Sequence, residues 1–323
     1  MANESLEIAL IKYNKKTWCK SAVLGFFIGL AVIVPGISGS TVAIIFRLYD
    51  QFLYALGNLF KKFKQCFTFL LPIGIGIVLG VLLGFLTVKQ LLEWLPFAII
   101  CLFAGLMSGA FPAVKDELKG AKWTAKRIAL FVLGLCIPLA LGCFSALAGE
   151  GTSEDAFANI EVWHVAAGVV VGAVMGITQI VPGLSASAFL MAIGWFKSLT
   201  NSVSLTYWQN NPAVILLYAG LAIGFVGGIL GFSKLLTHLF SVARHTSYSM
   251  IVGLSLGSIL SIFFNSDTMA IYRSWSVGGV QIVDIVLGIV LFAAGLVAAY
   301  LLVRFQRKKD AEEAENAENG AQN

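Results

Sequence analysis

Eight apolar runs, at roughly 21–46, 66–88, 94–114, 128–149, 162–196, 213–233, 248–264 and 281–303, leave this chain few folds to choose from. A helix needs about 20 residues to cross the hydrocarbon core, and six of the runs have the length of one span. The other two are interrupted near their middle by almost the same seven residues, VPGISGS at Val34–Ser40 and VPGLSAS at Val181–Ser187. The run at 162–196 is too long for one helix and too short for two. Proline removes a backbone donor and clashes with the preceding turn, and glycine beside it permits a reversal. Each interrupted run is therefore expected to be a re-entrant hairpin, with its tip near the midplane. Composition agrees, since 58% of the residues are hydrophobic and only 12% charged, against about 25% charged in soluble domains. The first twenty residues are polar and the apolar stretch after them is too long for a signal core, so no cleaved leader is expected.

The basic residues test the hairpins. If both return to the side they entered, segments 1–20, 47–65, 115–127, 234–245 and 304–309 share one face and hold 19 of the 22 Lys and Arg. The opposite face keeps Lys89, Lys197 and Arg273, together with the acidic loop 149–161. The positive-inside rule then puts both termini in the cytoplasm. This reading divides the chain into an amino-terminal segment 1–20, a first membrane repeat 21–149, an external acidic loop 150–161, a second repeat 162–303 and a disordered tail 304–323. Segment 49–65 is amphipathic and basic at its end, which fits an interfacial helix or a simple loop helix.

Internal repetition points the same way. A shift of 147 residues superposes Gly25 on Gly172, Gly29 on Gly176, Val34-Pro35-Gly36 on Val181-Pro182-Gly183, Ser38 on Ser185 and Ser40 on Ser187. The same shift superposes Gly80, Gly84 and Phe85 on Gly227, Gly231 and Phe232, and one inserted residue brings 104–109 onto 252–257. Each half then holds one hairpin and three spans. An odd number of crossings turns the second half over relative to the first. The expected fold is an all-α polytopic membrane protein of two inverted repeats, a plan many secondary transporters use.

Non-helical backbone at membrane depth needs protein or water to satisfy it. The tips offer free N–H groups, the start of a returning half-helix and the hydroxyls Ser38, Ser40 and Thr41 in one half and Ser185 and Ser187 in the other. Helix N-termini favour anions, so two opposed tips, opened by the breaks at Pro35-Gly36 and Pro182-Gly183, are expected to make an anion site with these hydroxyls. The same hydroxyls can also cap helices with no ligand. Arg47 is a candidate headgroup partner, a partner for Asp50 or an interfacial anchor. Asp284, one turn inside the last span, is either a helix-start charge or a proton or cation site. Five cysteines and three histidines show no metal spacing, and no cofactor or nucleic-acid partner is expected. The stripes Gly76-Gly80-Gly84 and Gly220-Gly224-Gly228 serve either internal packing or a homodimer.

The stretch PGISGST…LYD, the second PGLSAS and the duplicated layout resemble the PopT family of bacterial polyprenyl-phosphate transporters. The resemblance extends over all but the termini and rests on the paired PGxSx[ST] motifs. It implies return of undecaprenyl phosphate from the outer to the inner leaflet of the plasma membrane, in the service of envelope glycan and peptidoglycan synthesis. The residues it would place at the headgroup are Pro35, Gly36, Ser38, Gly39, Ser40 and Thr41, then Tyr49 and Asp50, with Pro182, Gly183, Ser185 and Ser187 in the second motif. The chain departs from the family in Val32 where an acidic residue is frequent, Arg47 and Ala186 where glycine is usual, and Phe196 where tyrosine is usual.

Two other functions use similar parts. A transporter of a small soluble anion would need the same half-helix ends and a watery vestibule; a lipid carrier would need a lateral opening between helices. A membrane-embedded polyprenyl-pyrophosphate phosphatase would need an arginine in the loop and a nearby general acid or base, and neither motif supplies them.

Overall fold

Backbone in hydrocarbon is satisfied only within helices or closed barrels. The computed structural model describes residues 10, 13–33, 40, 42–43, 48–148, 156–181 and 184–321, and among these it has twelve helices and no strand. In chain order they are α1 (Lys15–Ile33), α2 (Tyr49–Gly57), α3 (Phe63–Trp94), α4 (Pro96–Asp116), α5 (Ala125–Ala148) and α6 (Val162–Ile180). Three short helices follow, α7 (Ala186–Ala192), α8 (Phe196–Ser202) and α9 (Leu205–Asn210). The chain closes with α10 (Val214–Ser261), α11 (Ser266–Gly278) and α12 (Ile282–Ala321). Helices α3, α4, α5, α6, α10 and α12 are long and apolar enough to cross a membrane. Their outward faces carry exposed Val78, Leu82, Val170, Ile223 and Ile289, an apolar surface suited to lipid.

As a straight rod the 48 residues of α10 would measure about 72 Å, more than twice the roughly 30 Å hydrocarbon core. It is not straight. Ala243 leaves helical geometry (φ −145°, ψ 51°), and the rings of Phe240 and Tyr248 stack at 4.8 Å. Eight residues along an unbroken helix they would stand about 12 Å apart. The two spans expected at 213–233 and 248–264 are thus the arms of α10, joined by a one-residue break. Leu95, between α3 and α4, has nearly the same dihedrals (φ −136°, ψ 60°) and lies 148 residues earlier.

Glycines set how the helices pair. A Cβ on Gly25 or Gly29 of α1 would strike the carbonyls of Ile73 or Ile77 in α3, and one on Gly76 or Gly80 would strike those of Ala22 or Phe26. The corresponding contacts join α6 to the first arm of α10: Gly172 and Gly176 meet the Leu221 and Phe225 carbonyls, and Gly224 and Gly228 meet those of Val169 and Ala173. Gly76 and Gly80 therefore match Gly224 and Gly228, 148 residues on. The sequence shift of 147 had superposed Gly80 on Gly227, which has nothing near it. Further along, Gly105 and Gly109 of α4 press on α12 at Phe292 and Leu296, while Gly253 and Gly257 press on α5 at Phe131 and Leu135. Gly76 and Gly80 of one stripe and Gly220, Gly224 and Gly228 of the other thus pack inside the chain.

The basic segments gather at one end. Arg244 pairs with Asp50 and Glu117, and Arg307 with Asp116. Tyr13 donates to the Phe69 carbonyl and, with Leu10, packs on the cluster that holds Leu48, Cys66, Leu236 and Tyr248. Segment 49–65 contains a helix, α2, which buries Tyr49, Leu53 and Ala55 and packs against α10. One expectation changes. The tail read as disordered continues α12 to Ala321; its Ala and Glu residues are strong helix formers, and Lys308 and Glu312 pair one turn apart.

Close approach at Gly224 and open space at Gly227 make opposite predictions. Gly224→Val is expected to push α6 off α10 and to abolish monodisperse protein in detergent. Gly227→Ala should leave the melting temperature unchanged or raise it, because alanine is better than glycine in a helix by about 1 kcal/mol. Size-exclusion profiles and thermal melts of the two variants check this.

Candidate functional site

The segment that leaves the first motif, Leu48-Tyr49-Asp50, is buried or half-buried and touches the second half of the chain at every step. Tyr49 Oη donates to the carbonyl of Ile180 at 2.9 Å. Ile180 is the last residue of α6, directly before Val181-Pro182-Gly183. A helix end exposes carbonyls with no intrahelical donor, and proline two residues on cannot supply one. The tyrosine of one motif thus caps the helix that leads into the other.

Asp50 continues the bridge. Its Oδ1 accepts from Tyr248 Oη at 2.6 Å and its Oδ2 from Arg244 Nη2 at 2.6 Å. Arg244 also donates to Glu117 Oε2 from Nη2 at 2.8 Å and from Nε at 3.2 Å, and its guanidinium lies over the Tyr248 ring. Because Arg244 follows the Ala243 break, one guanidinium ties α2, the kink of α10 and the α4–α5 connection together. Asp50 had been considered as a partner for Arg47; its bonds among the described residues go to Arg244 and Tyr248.

In the second motif Ser185 stands before α7. Its Oγ accepts from the Ala188 N–H at 3.3 Å and lies 2.8 Å from Ser187 Oγ. Capping is thus one use of this hydroxyl. Ser185 also lines a cavity of about 20 Å³ with Ser258, Ser261 and Asn265 of α10 and the turn after it, room for one water. Ser40 of the first motif is buried and helical. Val42 after it packs in the cluster that contains Ile262, which lines the Ser185 cavity. Ala43, Leu48 and Tyr49 share a core with Ile180. The described parts of the two motifs therefore meet in common packing. Pro35, Gly36, Ser38, Gly39, Thr41, Arg47, Pro182 and Gly183 lie outside the described residues.

Asp284 is fully buried, and its two oxygens accept from the N–H groups of Phe97 and Ala98 at 3.1 and 2.8 Å. It caps the N-terminus of α4 from the neighbouring helix, where a negative charge is favoured. Of the roles considered for it, pairing with a helix start is the one its contacts fill, though the helix is α4 and not its own. His164 has a similar task, since its Nδ1 accepts from the Glu161 N–H at 3.0 Å at the start of α6.

A larger cavity, about 400 Å³, opens beside the second motif. Tyr49, Val181 and Leu184 form its inner wall, α5 and both arms of α10 its sides. The lining is apolar except toward the basic end, where Lys126, Thr246 and Ser247 border it. Arg244, Glu117, Tyr248 and Lys126 had no place among the expected site residues. For Lys126 the available signal was a basic residue at the foot of a span.

A family model described as undecaprenyl phosphate translocase-like matches residues 28–279, a stretch that includes both motifs. A curated Staphylococcus aureus protein named polyprenyl-phosphate transporter is 24% identical over 246 residues, which cover 74% of this chain and 84% of that protein. One of the same name from Vibrio cholerae serotype O1 is 25% identical over 267 residues, covering 78% and 79% respectively. No solved structure matches.

Removing the Tyr49 hydroxyl leaves the Ile180 carbonyl without that donor. Tyr49→Phe is expected to lower unfolding stability by about 1–3 kcal/mol, the cost of an unsatisfied buried acceptor. Asp50→Asn should cost about 1 kcal/mol or less, because the pair it weakens is partly exposed. Chemical unfolding in detergent micelles ranks the two variants.

Proposed function

Because the chain belongs to the undecaprenyl phosphate translocase-like family, we propose that it carries undecaprenyl phosphate across the bacterial plasma membrane, from the outer to the inner leaflet, with both termini in the cytoplasm. It works as a carrier and not as an enzyme. One observation bears most of this reading: the cavity beside the second motif is walled by apolar side chains and ends at Lys126. A soluble anion has no use for such walls. A phosphate on an isoprenoid tail does, with the tail against Leu236, Leu239 and Leu254 and the headgroup toward polar or basic residues.

The inverted repeat and the two re-entrant hairpins belong to this proposal. They are supported by the contacts shared between halves at offsets of 147 and 148, by the like breaks at Leu95 and Ala243, and by the return of the chain after each motif. After the second motif, Trp195 packs on Phe157 and Ser198 bonds to Ala156, just before α6 begins. In this arrangement Ser38, Ser40 and Thr41 face the headgroup from one half and Ser185 and Ser187 from the other. Alternating access then moves one half against the other about the kink at Ala243. The Asp50–Arg244–Glu117 tie holds the basic end closed until the headgroup competes for Arg244.

Binding to the purified protein tests the proposal. Undecaprenyl phosphate is compared with undecaprenyl pyrophosphate, undecaprenol and inorganic phosphate. The expected order puts the monophosphate lipid first. Ser38→Ala/Ser185→Ala should weaken it by removing headgroup partners, and Leu239→Trp by filling the groove, with Leu239→Trp leaving any inorganic phosphate binding untouched. Binding of inorganic phosphate alone would make the protein a small-anion carrier.

A further inference from the structure

On the far side of the α5–α10 pair, at the basic end, lies a second and larger cavity of about 850 Å³ that no part of the motifs lines. Its apolar walls come from Phe111 of α4, Phe131 of α5 and Val252 and Leu256 of α10. Lys115, Lys119 and Arg307 stand around its rim with a single carboxylate, Asp116. That carboxylate organises the rim: Oδ2 accepts from Arg307 Nε at 2.6 Å and Oδ1 lies 2.9 Å from Lys119 Nζ. Arg307 is further fixed by a 3.2 Å bond to the Pro112 carbonyl. Lys115 is exposed and has no partner among the described residues. Three cations face one anion, and the excess is positive.

Trp123 borders the same cavity, about half exposed, with its ring edge-on to Phe131 at 5.9 Å. Tryptophan favours the depth of lipid headgroups, and Arg307 comes just after the last apolar turn of α12. The cavity therefore has an apolar floor at acyl depth and a cationic rim at headgroup depth. Basic pockets between transmembrane helices on the cytoplasmic side suit anionic lipid headgroups.

We propose that this cavity is a binding site for an anionic glycerophospholipid of the leaflet at the basic end of the bundle, its phosphate held by Lys115, Lys119 and Arg307 and its acyl chains against Phe111, Phe131 and Leu256. The site is separate from the groove at Tyr49 and does not depend on what the protein transports. The two cavities lie on opposite faces of one helix pair: Leu130 and Leu254 line the groove, Phe131 and Val252 the second cavity.

Quenching of Trp123 by brominated lipids tests the site in the full chain reconstituted into phosphatidylcholine vesicles. The contribution of Trp123 is the difference between the wild type and Trp123→Phe. Brominated phosphatidylglycerol is expected to quench it at roughly tenfold lower mole fraction than brominated phosphatidylcholine, in line with one to two productive basic contacts. Lys115→Gln/Lys119→Gln should remove that preference; both lysines are exposed, so the variant is expected to fold and its melting temperature confirms it. Equal quenching by the two lipids overturns the site, as does a preference that survives the double variant. Relief of quenching by added undecaprenyl phosphate at low mole fraction would also overturn it, by making the cavity part of the transported lipid's path.

Discussion

A helix end leaves backbone groups with no intrahelical partner, and much of this molecule is arranged around such ends. The carbonyl of Ile180 is met by Tyr49 from 131 residues away. The N–H groups at the start of α4 are met by Asp284 from the last span. Ser185 meets the first turn of α7, and Asn265 that of α11. Each of these partners sits on a different element from the broken helix or immediately before it. Tyr49 and Asp284 reach across from the other half of the chain, whereas Ser185 and Asn265 cap the helices they precede. Phe196, which the 147-residue shift superposes on Tyr49, has no hydroxyl, so the cap on Ile180 has no like-for-like copy in the second motif.

Glycine supplies the complementary constraint. With lipid tails as apolar as leucine, helices gain little from hydrophobic burial against one another and rely on close packing. Backbone-to-glycine contact brings α1 onto α3, α6 and α5 onto α10, and α4 onto α12. The last two exchange partners between halves: α4, from the first, lies on α12, from the second, while the second arm of α10 lies on α5. A pairing of this kind interlocks the halves through their second and third spans and leaves the opening helix and first span of each half packed locally.

The spans were legible because hydrocarbon imposes length and apolarity directly, and the close helix pairs because glycine has few substitutes at close approach. The one-residue difference in register, Gly227 for Gly228, arose where glycines are dense enough to align at either shift. The break at Ala243 carries neither proline nor glycine, so local chemistry gives no sign of it; its counterpart at Leu95 is marked by Pro96. Arg244, Glu117 and Tyr248 were missed for a different reason. Asp50 lies 194 and 198 residues from Arg244 and Tyr248, and Glu117 127 residues from Arg244, and no periodicity encodes bonds of that range. Asp284 was noticed as a buried charge, but the helix it serves could not be named from its own neighbours.

The pair formed by α5 and the second arm of α10 separates the two large cavities, and its construction decides how they communicate. Gly134, Gly253 and Gly257 hold the two backbones in contact, so the pair has little freedom to shear. Residues one or two apart on each helix face opposite ways: Leu130 and Leu254 toward the groove, Phe131 and Val252 toward the basic-rimmed cavity. Coupling between the cavities requires the pair to move as a unit. The arm begins at Arg244, where the Asp50 and Glu117 bonds fix its position.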